Sequence, residues 1–341
     1  MLECSYQLLA LRMGAGKTVV TLLAISELMH KRKEIRQALI VAPLRVAQLV
    51  WHAEAVKWDE TVGLKVQRVL GAAKARTEAL EQAADIYVIN RENFAWLVEK
   101  YEGQAWPFDL VVIDENRGFK DRASKSWKAL KKVREQIKRL YILSGTPAPN
   151  SLLELWPQIS ILDRGLRLGR SLTAYRDRWF TPDKRNGHVI YSWRLQEGAE
   201  KEIQAAVADV MLSTSSGVVL PNRIDNVVPV SFDMRRYDQL AKDMVSGDIL
   251  AVSAGVLAGK LAQMSNGAVY NAERVVHHIH DAKLDALEEI VDQGESVLCL
   301  TSYKHDQARI IKRFPHAVVF DGEESLTAWQ RGEVPLMLMH P

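Results

Sequence analysis

Cysteine is almost missing from this chain: Cys4 and Cys299 are the two in 341 residues. They stand far apart, with no partner at a metal-binding spacing, which excludes a disulfide-stapled scaffold and a cysteine-based zinc module. A reduced, cytoplasmic setting is the expectation. No apolar run is long enough to cross a bilayer, and no leader is expected, because the amino end runs straight into an apolar strand pattern. A dominant charge is missing too. Lys and Arg number 45 against 42 Asp and Glu, a net +3, so any nucleic-acid footprint has to come from local clustering. With 48% hydrophobic and 26% charged residues, and no internal repeats or low-complexity tracts, the chain is ordinary globular protein long enough for two domains.

What is present starts at Leu8, where an apolar strand breaks into Met13-Gly14-Ala15-Gly16-Lys17-Thr18 and reopens as the helical stretch VVTLLAISELMH. This is the layout of a phosphate-binding loop. Gly14, Ala15 and Gly16 let backbone N–H groups turn toward phosphate oxygens, the helix adds the positive end of its dipole, Lys17 adds a cation and Thr18 a Mg2+-facing hydroxyl. The strict pattern places its first glycine at position 11, which is Leu11 here. A glycine-rich turn that merely starts a helix fits the bare string equally well, so the loop needs an acidic partner.

Such a partner follows about a hundred residues on. Phe108 to Ile113 (FDLVVI) reads as a buried strand that delivers Asp114 and Glu115 at its carboxyl end, where open parallel sheets hold ligands. Asp114 is the expected Mg2+ ligand and Glu115 the residue that orients and deprotonates water, since phosphoryl transfer asks mainly for positioning and charge. A third apolar strand, Leu140 to Leu143, ends in Ser144-Gly145-Thr146-Pro147 and brings its hydroxyls to the same edge.

Loop, acid pair and SGTP in this order resemble the superfamily 2 helicases, and within them the Swi/Snf-type DNA translocases, especially compact phage-type members. ALIVAPLRVAQLVW at 38–51, VINRENF at 88–94, VVIDENRGFK at 111–120 and LSGTPAPN at 143–150 are similar to successive first-lobe motifs. LWPQISILD, NGAVY, HDAKLDALEEI and SYKHDQARIIKRFP are similar to later segments. The resemblance implies an α/β fold of two RecA-like parallel-sheet lobes that clamp ATP and Mg2+ and step along DNA. It further implies that Pro43, Arg45, Asn90 and Arg91 touch the phosphate backbone with low sequence preference, and that Ser144 and Thr146 couple the nucleotide to that contact. For a phage-encoded member the host cytoplasm is the expected location.

The chain departs from that family at several places. After Leu336-Met337-Leu338-Met339-His340-Pro341 the family continues into two further motifs, whose arginines reach the leaving phosphate and are worth on the order of a thousandfold in rate. Arg313 and Arg331 lie in no matching context, so slow turnover is expected of the chain alone. Tyr6 and Gln7 lie almost against the loop, where relatives carry an adenine-reading pair well upstream. Arg12 replaces a commonly acidic position, and Asn116-Arg117 replace small or hydroxyl residues.

The expected organisation is a first RecA-like lobe over 1–150, a mainly helical insertion belonging to it over 151–220 with a hairpin near Asn186-Gly187, and a partial second lobe over 221–341 that opens near Pro221-Asn222. Two basic clusters stand out, Lys31 to Arg36 and Lys120 to Arg139, the latter expected to form a helix with basic residues spread around it; such runs are often only solvated faces. The nine Trp are scattered and read mostly as packing. His277, His278 and His280 have no supporting Cys or carboxylate spacing, and Asp281 reads as a helix cap. Two readings stand beside the translocase: a nucleotide-responsive DNA-binding module with little turnover, and a phosphate-loop kinase, for which no acceptor motif is visible.

Overall fold

The computed structural model describes residues 1–12, 14–148, 151–186, 189–213 and 224–340. The chain divides into two compact units, Met1–Leu220 and Pro221–Pro341. Met13, Pro149-Asn150, Gly187 and Pro221-Asn222 lie outside the described residues, as do the side chains of Asn116 and Arg117.

In the first unit, strand and helix alternate as β1 (Tyr6–Ala10), α1 (Lys17–Ser26), β2 (Ala38–Ala42), α2 (Leu44–Ala55), β3 (Val66–Val69), α3 (Ala73–Glu81), β4 (Ile86–Asn90), α4 (Arg91–Lys100), β5 (Leu110–Asp114), α5 (Lys125–Val133) and β6 (Arg139–Ser144). Then come α6 (Leu155–Asp163), α7 (Leu172–Trp179), β7 (Phe180–Pro182), β8 (Arg185–Asn186), β9 (Val189–Ile190), β10 (Trp193–Leu195), α8 (Ala199–Val207) and β11 (Met211–Ser213). Seven strands form one parallel sheet in the order β11-β1-β6-β5-β2-β4-β3. Its central strands are buried on both faces, which is why ALIVA, IYVIN and LVVID are nearly unbroken apolar runs rather than alternating ones. Successive side chains still part company. Val111 and Ile113 join one core with Phe94 of α4, Leu130 of α5 and Ile159 of α6, while Leu110 and Val112 join the other with Leu22 and Ile25 of α1 and Trp51 of α2.

Register places the functional segments together. Ala10 pairs with Ser144, Asp114 with Leu143, and Ala42 with Asn90, so the carboxyl ends of β1, β6, β5, β2 and β4 form one edge.

The stretch after Ser151 is less helical than its composition suggests. Besides α6, α7 and α8 it contains β7 paired antiparallel with β10, β8 paired antiparallel with β9, and β11, which joins the main sheet beside β1. Strands of two or three residues are too short to show a period of two, and β11 is fixed by a partner some two hundred residues upstream. The basic run Lys120 to Arg139 is likewise broken: α5 ends at Val133, and Arg134 turns inward, 3% exposed. It donates to the carbonyls of Ile161 (2.6 Å) and Leu162 (2.5 Å) and stacks 4.1 Å from the Tyr6 ring centroid.

The second unit contains α9 (Arg235–Asp243), β12 (Val245–Ser246), β13 (Ile249–Leu250), α10 (Ala254–Ser265), β14 (Ala268–Tyr270) and β15 (Val276–His278), with both strand pairs antiparallel. It goes on through α11 (Ala282–Val291), β16 (Val297–Leu300), α12 (Lys304–Arg313), β17 (Val318–Val319), α13 (Glu323–Gln330) and β18 (Leu336–Met339). Its parallel sheet has three strands, ordered β16-β18-β17. Asp281 occupies the N-cap position of α11 but makes no side-chain cap bond; its carboxylate instead takes Arg309 (2.7 Å) and faces His278 Nε2 (3.1 Å). Arg313 is held by Glu288 and Asp285 on α11.

Candidate active site

The turn between β1 and α1 takes the form of a phosphate cradle. Gly14 and Gly16 have φ of 77° and 73°, left-handed values that a side chain disfavours, and Gly16 opens α1 without a side-chain cap. The first amide groups of α1 therefore have no side-chain acceptor among the described residues, which is the donor set an anion takes up. Ala15 N–H closes the turn on the Arg12 carbonyl (3.2 Å), and Lys17 curls its Nζ onto the carbonyls of Leu11 (3.0 Å) and Arg12 (3.4 Å). Thr18, half-buried, follows on the first turn of α1.

Across the edge, Asp114 is the last residue of β5 and is 8% exposed. Burial and then the neighbouring Glu115 push its carboxyl up to about 6, against the opposing pull of a hydrogen bond from Trp51 and the Lys17 ammonium. Trp51 Nε1 donates to Asp114 Oδ2 at 3.2 Å from α2, with the indole wholly buried. Glu115 sits at φ 49°, ψ 71°, a left-handed conformation that costs a non-glycine residue about 1 kcal/mol and turns the chain sharply out of the strand. A buried carboxylate with an acidic neighbour and too little positive charge fits a hard divalent cation: the oxygens of Asp114, Glu115 and Thr18 are the donor type that Mg2+ prefers.

Between cradle and acids lies β6, so its exit loop leaves the same edge between them. Ser144 is buried and its Oγ accepts the Thr146 N–H (3.3 Å). Lys120, just beyond the acid pair, donates to the Thr146 carbonyl (2.6 Å) and lies 3.7 Å from Glu154, while Gln158 of α6 donates to the Pro147 carbonyl (2.6 Å).

The four backbone-contact candidates lie at the ends of β2 and β4. Pro43 caps α2 and Arg45 is exposed on its first turn. Asn90 is buried; its amide donates to Glu92 (2.9 Å) and its oxygen accepts from Asn93 (2.6 Å). Arg91 reaches Glu92 (3.1 Å) and lies along Gly118, where an added Cβ would meet Arg91 Cδ at 2.4 Å. Trp51, Lys120 and Glu92 thus serve the site without having been singled out in the sequence. Trp51 and Lys120 lie inside the motif stretches, but an indole N–H and a tethering ammonium have no spacing signature of their own.

A family model described as the SNF2-related domain matches residues 2–278. Protein p41 of Acyrthosiphon pisum secondary endosymbiont phage 1 is 35% identical over 348 residues, covering 96% of this chain and 75% of that protein. Helicase ssl-1 of Caenorhabditis elegans is 30% identical over 160 residues, 46% of this chain and 6% of its own length. Among solved structures, the Sulfolobus solfataricus SWI2/SNF2 ATPase core in complex with dsDNA superposes with a TM-score of 0.51 at 20% identity, covering 98% of this chain and 73% of that one. That likeness bears on the fold, a mixed α/β architecture with RecA-like lobes. With the family match spanning most of its length and the cradle, acid pair and SGTP loop meeting at one edge, this chain belongs to the SNF2-related domain family, a Swi/Snf-type branch of the superfamily 2 helicases.

Proposed function

We propose that the protein is an ATP-driven DNA translocase, which takes the triphosphate in the cradle Gly14–Thr18 and hydrolyses it at the Asp114–Glu115 edge. The observation that carries the reading is the adjacency of cradle and acid pair: β1 and β5 both flank β6, and their carboxyl ends align. Lys17 binds the outer phosphates, releasing the loop carbonyls it holds in their absence. Asp114 and Thr18 would hold Mg2+, which supplies charge neutralisation at the phosphates. Glu115 accepts a proton from the attacking water. Lys120 ties the turn after the acids to the Thr146 carbonyl, so a change at one is felt at the other.

Movement rests on Arg45 and Arg91, with Pro43 and Asn90 shaping the turns that present them; contacts of this kind go to phosphates and read no sequence. The DNA of the Sulfolobus complex and the helicase relatives support this choice of polymer. The test is a pair of substitutions. Lys17→Ala is expected to lose ATP binding, whereas Glu115→Gln retains ATP and loses about 10²- to 10⁴-fold in phosphate release. Equal nucleotide affinity in wild type and Lys17→Ala would end the assignment.

A further inference from the structure

The basic run after the acid pair is only partly used by the site above. Lys120 is drawn to the SGTP loop and Arg134 into the core, but the exposed face of α5 is committed to neither. Lys128, Lys131 and Lys132 of α5, together with Arg122 before it and Arg170 before α7, line an open groove of about 780 Å³ whose lining contains no acidic side chain among the described residues. Its floor is rigid. Trp127 and Trp156 are 8% and 4% exposed, and each indole N–H is fixed, Trp127 to the Pro157 carbonyl (3.0 Å) and Trp156 to the Gly169 carbonyl (2.9 Å).

Most of these cations have no counter-ion among the described residues. Lys132 pairs with Glu102 across 3.5 Å of open surface, but among the described residues Arg122, Lys128, Lys131 and Arg170 have no carboxylate within 4.0 Å, and Lys131 lies instead 5.5 Å from the Trp127 ring centroid. The basic clustering continues beside the groove. Arg176 of α7 carries a buried Nε with no acceptor among the described residues, and Arg122 is near enough to depress its guanidinium further after burial has done so. The Asp121 carboxylate is turned onto the Ala123 N–H (2.8 Å). By contrast, the basic cluster after α1 is neutralised locally, Lys31 by Glu27 (2.9 Å), Arg32 by Glu3 (3.0 Å) and Arg36 by Asp109 (3.6 Å). Like charges gathered around a fixed floor without acids are a site for a polyanion.

We infer that this groove between α5 and the start of α7 is a second phosphate-backbone track on the first unit, separate from the sheet edge, and that it holds a nucleic-acid strand. The assignment rests on the DNA reading above. From Lys125 to Lys132 the helix rises about 10 Å, the axial length over which one strand of a duplex presents about three phosphates.

The experiment compares salt dependence of duplex binding, by fluorescence anisotropy, for the wild type, Lys128→Ala/Lys131→Ala/Arg170→Ala and Arg45→Ala. The triple variant should lower the log–log slope by about 2.7 and the single variant Lys128→Ala by about 0.9, with affinity for a fluorescent ATP analogue and the thermal midpoint unchanged. If Arg45→Ala lowers the slope and the triple variant does not, the groove is overturned and the sheet-edge reading survives. If the wild type binds no duplex, both fall. Tighter binding of the wild type to phosphatidylserine vesicles than to duplex, through the same three residues, would also overturn the nucleic-acid assignment.

Discussion

Replacing Asp114 by Asn should make the metal-free protein more stable while destroying its activity. The carboxyl is raised from its ordinary 3.8 to about 6 by burial and by Glu115, which corresponds to about 3 kcal/mol held against folding once the group is ionised. The native state keeps its proton between these two values while the unfolded chain has released it, so wild-type stability falls as pH rises through that window. Asn removes the charge and keeps an oxygen for the Trp51 N–H. In urea unfolding of the first unit without divalent ions, the variant should exceed the wild type by up to about 3 kcal/mol at pH 7.5, about half of that at pH 5, and nothing below 3.8. With an m-value of about 3 kcal/mol per molar, the midpoint moves by about 1 M. Added Mg2+ should narrow the gap by stabilising the wild type alone. Equal stability at pH 7.5, or a gap that does not change with pH, would refute the account of Asp114 as an under-compensated buried charge.

Arg134→Met should cost about 2–4 kcal/mol, because the carbonyls of Ile161 and Leu162 lose their donor inside the core; a thermal midpoint within 1 °C of wild type would contradict this. Gly267→Ala should unfold the second unit selectively by more than about 2 kcal/mol, since φ is +100° and a Cβ would lie 2.1 Å from the His280 carbonyl. Limited proteolysis would show cleavage beyond residue 221 with the first unit intact, and uniform resistance would count against it.

The sheet was legible because its strands are buried on both faces: LVVID and ALIVA admit few other fates, and a glycine turn or an acid pair at such a strand's end has one edge to occupy. What stayed hidden depends on contacts distant in sequence. Nothing in the order of residues says that the indole of Trp51 meets Asp114 sixty-three positions on, or that Arg134, in the middle of a basic run, turns inward under Tyr6. Likewise, nothing in the second basic string says how its charges divide: Lys120, Lys132, Lys138 and Arg139 meet acids from four separate segments, whereas Arg122, Lys128 and Lys131 meet none among the described residues.

The position of β11 bears on how the first unit could be divided. Met211 to Ser213 run beside Leu8 to Ala10, so the residues between β6 and β11 are a bight of chain hitched at both ends to one sheet, not an appendage. A fragment ending at residue 150 would bare the outer rim of the strand that leads into the phosphate cradle, leaving unsatisfied amides ready to template intermolecular pairing. Any shortened form meant to stay monomeric has to carry the return strand with it.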